Sequence, residues 1–393
     1  MAPCPALPTV PDTSPPLLHW TENELAASAR WRAENGAAPP RRVVLADDTM
    51  TADAAYRLAS EGTGLLWRGD FHNARQLLQA LARRIDKRRA KPGKPGKPAS
   101  DLREAFNQHR QAQAQRARTL GMLLIELDAG YGCALRRAPD LRDACLAAYG
   151  PADGPSVASL RELQGLVGAQ QWRLKGVELP ALGGARIHPH YGVFSPVRGE
   201  YLRLVAQAPL PAGAETLAVD VGTGTGVLAA LLARRGVARV IATDLNPRAL
   251  ACARDNLAAL GLAKRVTVRE ADLFPPERAP LVVCNPPWLP ARPSSQLEMA
   301  VYDQDSRMLR GFLDGLAAHL APGGEGWLIL SDLAEHLGLR SRETLLDWIA
   351  AAGLTVAGRL DARPEHPRAA DASDPLHAAR AAEVTSLWRL RAT

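Results

Sequence analysis

The sequence predicts an α/β fold: a mostly parallel sheet covered by helices on both faces, preceded by a mainly helical N-terminal domain. From about residue 172 onward, short apolar segments of strand-like composition alternate with helical patterns. Before that point the patterned segments are longer and amphipathic, and a basic stretch rich in proline and glycine interrupts them. Strands that alternate with helices at short intervals are typical of a parallel sheet.

The first 170 residues predict three segments. Residues 1–40 contain many prolines and few patterned apolar residues, so we expect a loosely ordered lead-in. Residues 41–170 are expected to form the N-terminal domain, with a substrate-recognition role and an amphipathic helix over residues 71–84. Within this domain, residues 87–100 contain repeated Lys-Pro-Gly, which propagates neither a helix nor a sheet, and therefore predict a basic linker.

Residues 172–393 are expected to form the second domain. Seven apolar segments predict strands, over residues 216–221, 239–243, 265–269, 280–284, 325–331, 354–360 and 384–390. Four helical patterns lie among them, over residues 225–235, 247–260, 303–320 and 341–352. No helix follows the last strand, which is therefore free to insert antiparallel.

Composition excludes several classes of protein. The chain has no uncharged apolar run of about 18 residues and no signal-peptide pattern at its start, so we expect a cytoplasmic protein without a membrane span. Its five cysteines are scattered, without a CxxC pair or histidines at ligand spacing, which favours free thiols and argues against a metal site. The net charge of +7 is compatible with a polyanionic partner, and equally with an arginine-rich composition that has no such partner.

The basic residues are concentrated between Lys87 and Arg118, where ten Lys or Arg stand against two Asp or Glu. A run of like charge is most often a solvated surface. Contact with the phosphates of a nucleic acid is the alternative.

A glycine-rich turn follows the first strand of the second domain. Leu217–Val221 leads into Gly222-Thr223-Gly224-Thr225-Gly226, and glycines at such a junction allow the backbone to approach a ligand. The dinucleotide fingerprint GxGxxG would require glycine at position 227, which is valine. Asp220 stands just before the turn, where a carboxylate attracts an ammonium group and repels a pyrophosphate. These features favour S-adenosylmethionine (SAM) over NAD, with a purely structural turn as the other alternative.

Acidic residues also end the next two strands. Asp244, followed by Leu245, is placed to accept hydrogen bonds from the hydroxyls of a ribose. Asp272, followed by Leu273, is placed at the same sheet edge to accept the amino group of an adenine.

The fourth strand leads into Asn285-Pro286-Pro287-Trp288. Two consecutive prolines fix the backbone and remove two donors, which leaves the Asn285 side-chain oxygen and the Pro286 carbonyl as acceptors. Such a row suits a planar NH2 group, and Trp288 offers a flat face on which an amide or a base can stack. The alternative is a simple Pro-Pro strand end.

Residues 216–288 resemble the Rossmann-like class I SAM-dependent methyltransferases, in particular the "methyltransferase small" group with an N-P-P-[YFW] motif. This group includes HemK-type protein-glutamine methyltransferases and several ribosomal and transfer RNA methyltransferases. The segment Gly192–Glu200 resembles the loop that HemK-type enzymes place over the cofactor, but a valine separates Pro196 from Arg198 and the usual threonine is missing. The resemblance implies that Gly222 to Gly226 wrap the methionine part of SAM and that Asn285 touches both the cofactor region and the target nitrogen.

The leading hypothesis is therefore an N-methyltransferase that acts on the exocyclic amine of an adenine or guanine in ribosomal or transfer RNA. The same chemistry on a glutamine amide of a translation-related protein is the alternative. An NAD-dependent oxidoreductase and a non-catalytic binding module are two further alternatives. Asp220 and the motif from Asn285 to Trp288 argue against the oxidoreductase.

Overall fold

A computed structural model of the chain describes residues 16–90, 101–196, 198–293, 297–364 and 374–393. The chain forms two compact units. The first comprises Met1–Lys91 and Arg116–Gln164, and the second comprises Pro92–Gln115 and Gly165–Thr393.

The first unit contains a six-stranded mixed sheet. Its strands are β1 (Leu17–Glu22), β2 (Leu25–Arg32), β3 (Arg42–Ala46), β4 (Thr63–Trp67), β5 (Leu123–Leu127) and β6 (Ser156–Ser159), in the order β1-β2-β6-β5-β4-β3. The three strands β3, β4 and β5 run parallel to one another. The helices in this part of the chain are α1 (Ala52–Ser60), α2 (Phe71–Ala90), α3 (Leu102–Leu120), α4 (Arg142–Tyr149) and α5 (Leu160–Lys175). Helices α3 and α5 each cross a boundary between the units.

The prediction of a mainly helical N-terminal domain is wrong, because this unit is built on a sheet. Strands β4 and β5 are short and almost entirely buried, so they lack the alternation of apolar and polar residues that identifies a strand. The predicted lead-in is also wrong for residues 17–32, which form β1 and β2. The predicted linker over residues 87–100 begins inside α2, and its residues 91–100 lie outside the described residues.

The second unit contains the predicted seven-stranded, mostly parallel sheet. Its strands are β9 (Leu217–Val221), β10 (Arg239–Asp244), β11 (Val266–Glu270), β12 (Ala279–Cys284), β13 (Leu320–Ser331), β14 (Leu354–Ala362) and β15 (Thr385–Ala392), after a small hairpin of β7 (Val177–Leu179) and β8 (Ala185–Ile187). The order is β11-β10-β9-β12-β13-β15-β14, and β15 is antiparallel to both of its neighbours. The α/β prediction is therefore confirmed, including the antiparallel last strand.

Helices cover both faces of this sheet. The helices of this part of the chain are α6 (Glu200–Gln207), α7 (Val227–Arg234), α8 (Pro247–Ala259), α9 (Arg307–His319), α10 (Leu333–His336), α11 (Arg342–Ala351) and α12 (His377–Ala382). One face packs on α6, α7 and α8, and the other on α9 and α11. Alternate residues of β9 serve the two layers, since Ala218 joins the first cluster and Val219 the second. Loops at the carboxyl ends of β9, β10, β11 and β12 are thereby held at one edge of a rigid sheet.

Among the described helices, none combines the length and the apolar character that a membrane span requires.

Candidate functional site

The glycine turn lies between β9 and α7, and its backbone adopts the left-handed region three times. Gly222, Gly224 and Gly226 have φ angles of 70°, 55° and 80°. No atom lies within 4 Å of the place where a Cβ on Gly224 would stand, so open space adjoins the turn there. The Thr223 amide donates to the carbonyl oxygen of Thr243 over 2.8 Å and joins the turn to β10. The result is a fixed, open backbone loop at the sheet edge.

Asp220 has a buried carboxylate with one oxygen that is unpartnered within the described part of the chain. It is 1% exposed, and its Oδ2 accepts hydrogen bonds from Thr223 Oγ1 over 2.6 Å and from the Ala229 amide over 3.1 Å. Its Oδ1 is buried and has no partner among the described residues. Burial raises the pKa of Asp220 to about 6, although the two hydrogen bonds oppose this shift. A buried acceptor without a donor is costly and points to a ligand donor.

Asp244 ends β10 beside the same turn. Its carboxylate accepts from the Gly224 amide over 3.0 Å and from the Asn246 amide over 2.9 Å. Burial raises its pKa, against the effect of these hydrogen bonds. Each carboxylate oxygen keeps a further lone pair, so both can still accept a hydroxyl donor. Leu245, the next residue, is 55% exposed.

Asp272 and Leu273 follow β11 at this edge. Leu273 has a φ of 69°, and its carbonyl oxygen accepts from Thr243 Oγ1 over 2.6 Å. The Leu273 side chain packs against Gly311 of α9, where a Cβ would come within 2.8 Å of Leu273 Cδ1. Asp272 is exposed. The turn after β11 is therefore held in a conformation that is rare for a residue other than glycine.

The motif Asn285-Pro286-Pro287-Trp288 follows β12, which lies directly beside β9. Cys284 pairs with Val221 in register, so Asn285 and Gly222 come next to each other where the two strands end. Asn285 and Trp288 are half-buried and Pro286 is buried. The structure thus brings the motif to the glycine turn, as the sequence predicts.

The indole of Trp288 makes a hydrogen bond at its edge and a cation–π contact on one face. Its Nε1 donates to Asn285 Oδ1 over 2.9 Å, and the guanidinium carbon of Arg198 lies 4.9 Å from the ring centroid. The ring also packs against the hydrophobic clusters of both helical layers. The predicted stacking platform is therefore already covered by Arg198 on one face.

Arg198 is itself fixed by two buried glutamates. Its Nε donates to Glu200 over 2.5 Å and its Nη1 donates to Glu383 over 3.0 Å, while Ser331 Oγ donates to the same Glu383 oxygen over 2.6 Å. Sequence reasoning noticed Arg198 but missed Glu383, which lies 185 residues away and has no motif around it. The indole donor that reaches Asn285 was also missed. A tryptophan at the last motif position was the signal that could have revealed it, because Trp carries an N–H that needs an acceptor.

Two histidines just before the 192–200 loop contact α5 and α8 and thereby fix the start of the loop. His188 Nδ1 lies 2.7 Å from the carbonyl oxygen of Arg173, and His190 Nε2 lies 2.9 Å from Asp255 Oδ2. Burial lowers the pKa of His190 despite this carboxylate. These contacts give both rings a structural role. Within the described residues no group of histidines, cysteines and acids forms a metal site.

Comparisons with known proteins agree with this geometry. The family model "Methyltransferase small domain" matches residues 184–341. A release factor glutamine methyltransferase from Cereibacter sphaeroides is 42% identical over 151 residues, which cover 37% of this chain and 50% of that protein. A ribosomal protein L11 methyltransferase from Geobacter metallireducens is 31% identical over 231 residues, which cover 53% of this chain and 67% of that protein.

The chain thus spans about half the length of the release factor methyltransferase. A solved ribosomal protein L11 methylase from Lactobacillus delbrueckii shares 17% identity over 45% of this chain and 70% of its own, with a TM-score of 0.31. The family match and the L11 methyltransferase relative confirm the resemblance drawn from the motifs, and they set aside the NAD-dependent alternative. The chain belongs to the methyltransferases with a methyltransferase small domain, whose cofactor is SAM.

Proposed function

We propose that this protein transfers the methyl group of SAM to a planar NH2 nitrogen held at the carboxyl end of β12. The observation that carries the proposal is the position of the Asn285 amide, next to a glycine turn whose neighbour Asp220 has a buried oxygen without a donor. The first feature supplies an acceptor for the target nitrogen, and the second an acceptor for the cofactor.

The residues at the strand ends fit SAM part by part. Asp220 Oδ1 would take its ammonium group, directly or through a water molecule. The turn from Gly222 to Gly226, with Thr223 and Thr225 inside it and open space beside Gly224, would enclose the methionine part. Asp244, next to Leu245, would accept the ribose hydroxyls, and Asp272 and Leu273 would border the adenine.

Asn285 and the prolines would orient the acceptor. Asn285 Oδ1 and the Pro286 carbonyl oxygen would accept the two N–H groups, which turns the nitrogen lone pair away from conjugation. Pro287 would keep this segment rigid. SAM supplies an activated methyl group on a sulfonium. Since such a transfer needs little acid–base chemistry, alignment and exclusion of water would provide most of the acceleration, and the proton can leave after transfer.

Trp288 would act by holding Asn285 in this orientation. The indole N–H requires an acceptor, so it selects the amide rotamer whose oxygen faces the ring. Asn285 Oδ1 has a second lone pair, which stays available for the acceptor's N–H. The role of Trp288 would thus be to position the amide, with at most one ring face left for stacking.

We favour an exocyclic amine of adenine or guanine in ribosomal or transfer RNA as the acceptor. The net charge of +7 suits a polyanion, and the first unit, Met1–Lys91 with Arg116–Gln164, lies outside the matched family segment. A glutamine amide of a translation-related protein is the second candidate. It is supported by the relatives named as release factor glutamine methyltransferases, and it presents the same planar NH2 group.

An Asn285→Ala substitution tests the chemical proposal. We expect the rate of methyl transfer to fall roughly 100- to 1,000-fold, as when one precisely oriented polar group is removed from an active site. The dissociation constant of SAM, measured by calorimetry, should stay nearly unchanged. Asn107→Ala on the exposed surface of α3 is the matched control and should keep full activity. Full activity of the Asn285→Ala protein would refute the role of this amide.

The acceptor is tested with labelled SAM and a lysate from which modified molecules are recovered. Label that disappears on RNase treatment and survives protease supports the RNA acceptor. The reverse pattern would replace it with the protein amide.

A further inference from the structure

A basic cleft lies between α1 and α2 of the first unit. Its volume is 820 Å³, which is within the range of about 300–1,000 Å³ that is usual for ligand sites. Four cations line it, Arg57 from α1 and Arg83, Arg84 and Lys87 from α2, together with the carboxylates of Asp53 and Glu61. The lining therefore carries four positive and two negative charges, a net charge of +2.

Among the described residues, three of the four cations that line the cleft have no polar partner. Arg84 is paired with Asp53, its Nε donating to Oδ1 over 2.8 Å. The side chains of Arg57, Arg83 and Lys87 are exposed and form no ion pair or hydrogen bond with any described residue. Three free cations around one concavity attract an anion more strongly than the same charges on a convex surface, because the low-dielectric walls concentrate the field.

Two other arginines of the basic stretch from Lys87 to Arg118 are engaged by partners outside the cleft. Arg116 Nε donates to Asp86 over 2.9 Å. In the second unit, Arg110 donates to the Arg292 carbonyl oxygen over 2.7 Å, and its guanidinium carbon lies 4.1 Å from the Tyr302 ring centroid. Within the part of the chain that the structure describes, Arg57, Arg83 and Lys87 therefore bring three cations without a polar partner to one cleft.

We propose that this cleft binds the phosphate backbone of the RNA acceptor. The proposal rests on the methyltransferase function proposed above and names the chemical class of its substrate. Guanidinium and ammonium groups spaced along two helices bind successive phosphates without reading the bases. The cleft would therefore supply affinity and position, while the pocket at β12 selects the amine.

A double charge reversal, Arg83→Glu with Lys87→Glu, tests the proposal in the full chain. The probe is a fluorescein-labelled hairpin RNA, and its dissociation constant is measured by anisotropy between about 50 and 200 mM salt. We expect at least tenfold weaker binding. The slope of log K against log salt should become less steep by about 2, one unit for each lost phosphate contact. Arg41→Glu with Arg75→Glu is the matched control, since both arginines are exposed in the same unit and the change in net charge is identical.

The control pair should weaken RNA binding by less than about threefold, which is the size of a general charge effect at these salt concentrations. Equal losses in the two pairs would overturn the proposal, because net charge alone would then explain binding. So would a wild-type protein that binds inorganic pyrophosphate and not the hairpin RNA, or one that binds no RNA and methylates only protein.

SAM binding by the same proteins distinguishes a failure of the methyltransferase proposal from a failure of the RNA-binding proposal. The Arg83→Glu/Lys87→Glu protein should bind SAM as the wild type does. Wild-type protein that binds SAM but no RNA would leave the methyltransferase proposal intact and remove the cleft. Wild-type protein that binds RNA through the cleft but no SAM would support the cleft and remove the methyltransferase proposal.

Discussion

The two units place carboxylates at the same kind of structural position and treat them in opposite ways. In the first unit, Asp48, Asp70 and Asp128 follow the parallel strands β3, β4 and β5. In the second unit, Asp220 and Asp244 lie at the ends of the parallel strands β9 and β10. The difference between Asp70 and Asp128 on one side and Asp220 and Asp244 on the other is whether hydrogen-bond donors or burial dominate at the carboxylate.

In the first unit, Asp70 has donors on both of its carboxylate oxygens. Asp70 accepts from Arg136 Nε over 2.8 Å, from Arg137 Nε over 2.7 Å and from the His72 amide over 2.8 Å. Burial raises the pKa of Asp70, but these donors together hold it at about 2. Hydrogen bonds from the backbone amides of Gly130 and Gly132 likewise lower the pKa of Asp128. Such groups stabilise turns and leave little capacity for a ligand.

In the second unit the balance is reversed. Burial dominates at Asp220 and at Asp244, and it raises the pKa of both. Position at a strand end is therefore a weak indicator of function by itself. A desolvated carboxylate with an unused oxygen is a stronger one.

The largest expected effect on SAM binding comes from Asp220→Asn, which keeps the shape and removes the charge. At pH 7.5 we expect SAM binding to weaken by about tenfold to a hundredfold, the typical value of a hydrogen bond to a charged group. Calorimetry with SAM measures it. An unchanged dissociation constant would show that Asp220 resembles the saturated carboxylate of Asp70.

The same variant should not lose stability. A folded-state pKa raised from 3.8 to about 6 means that the ionised form is disfavoured in the folded protein, so stability without SAM falls as pH rises through this window. The neutral amide avoids a penalty of at most about 3 kcal/mol at neutral pH. Thermal unfolding without SAM should show an equal or higher Tm for Asp220→Asn, and a markedly lower Tm would contradict this view of the site.

The pH dependence of SAM affinity is the next effect in size. Because Asp220 must lose its proton to pair with an ammonium group, and its pKa is about 6, SAM should bind about tenfold more weakly at pH 5 than at pH 7. The Asp220→Asn protein should show a flatter profile over the same range. Parallel profiles for the two proteins would assign the titration to another group.

Trp288→Phe extends the comparison to the end of β12. There the uncharged acceptor is the Asn285 side-chain oxygen, which the Trp288 indole holds by a hydrogen bond. The substitution keeps an aromatic ring beneath Arg198 and removes the hydrogen bond to Asn285. We expect kcat to fall about fivefold, corresponding to ~1 kcal/mol for a hydrogen bond, with little change in the KM for the acceptor. If Trp288 instead served to stack the acceptor, the substitution would mainly raise the KM for the acceptor.

The smallest effect on activity is expected for Asp70→Ala. Removal of a saturated carboxylate should lower the Tm by a few degrees at neutral pH and leave the SAM dissociation constant unchanged. Since the pKa of Asp70 is depressed to about 2, its contribution is present above about pH 4. The difference in Tm between the two proteins should therefore shrink as pH falls toward 2, and a constant difference would point to a packing effect.

The sequence predicts the second unit well because its information is local. The central strands of the sheet are short apolar runs, and the predicted ligand residues lie at or near the ends of strands, as Asn285 does directly after β12. Parallel strands then bring these residues to one edge without any knowledge of distant contacts. The first unit is harder, since β4 and β5 are buried runs that periodicity does not separate from helix.

The parts of the site that escaped prediction depend on distant or directional contacts. Arg198 meets Glu383 only through the packing of the folded sheet, and the bond from Trp288 to Asn285 depends on a side-chain rotamer. The roles of the predicted cofactor and acceptor residues stay predictions, to be tested by the variants above.

The inner position of β15 has a consequence for folding. This strand lies between β13 and β14 and pairs Thr385–Leu390 with residues 326–331, about sixty positions earlier in the chain. It also brings Arg389 and Arg391 to Glu325, a fully buried carboxylate. Without this strand the edges of β13 and β14 would stay unpaired and Glu325 would lack both arginines, and open strand edges favour misassembly. Closure of the sheet thus depends on non-local pairing by residues 385–392.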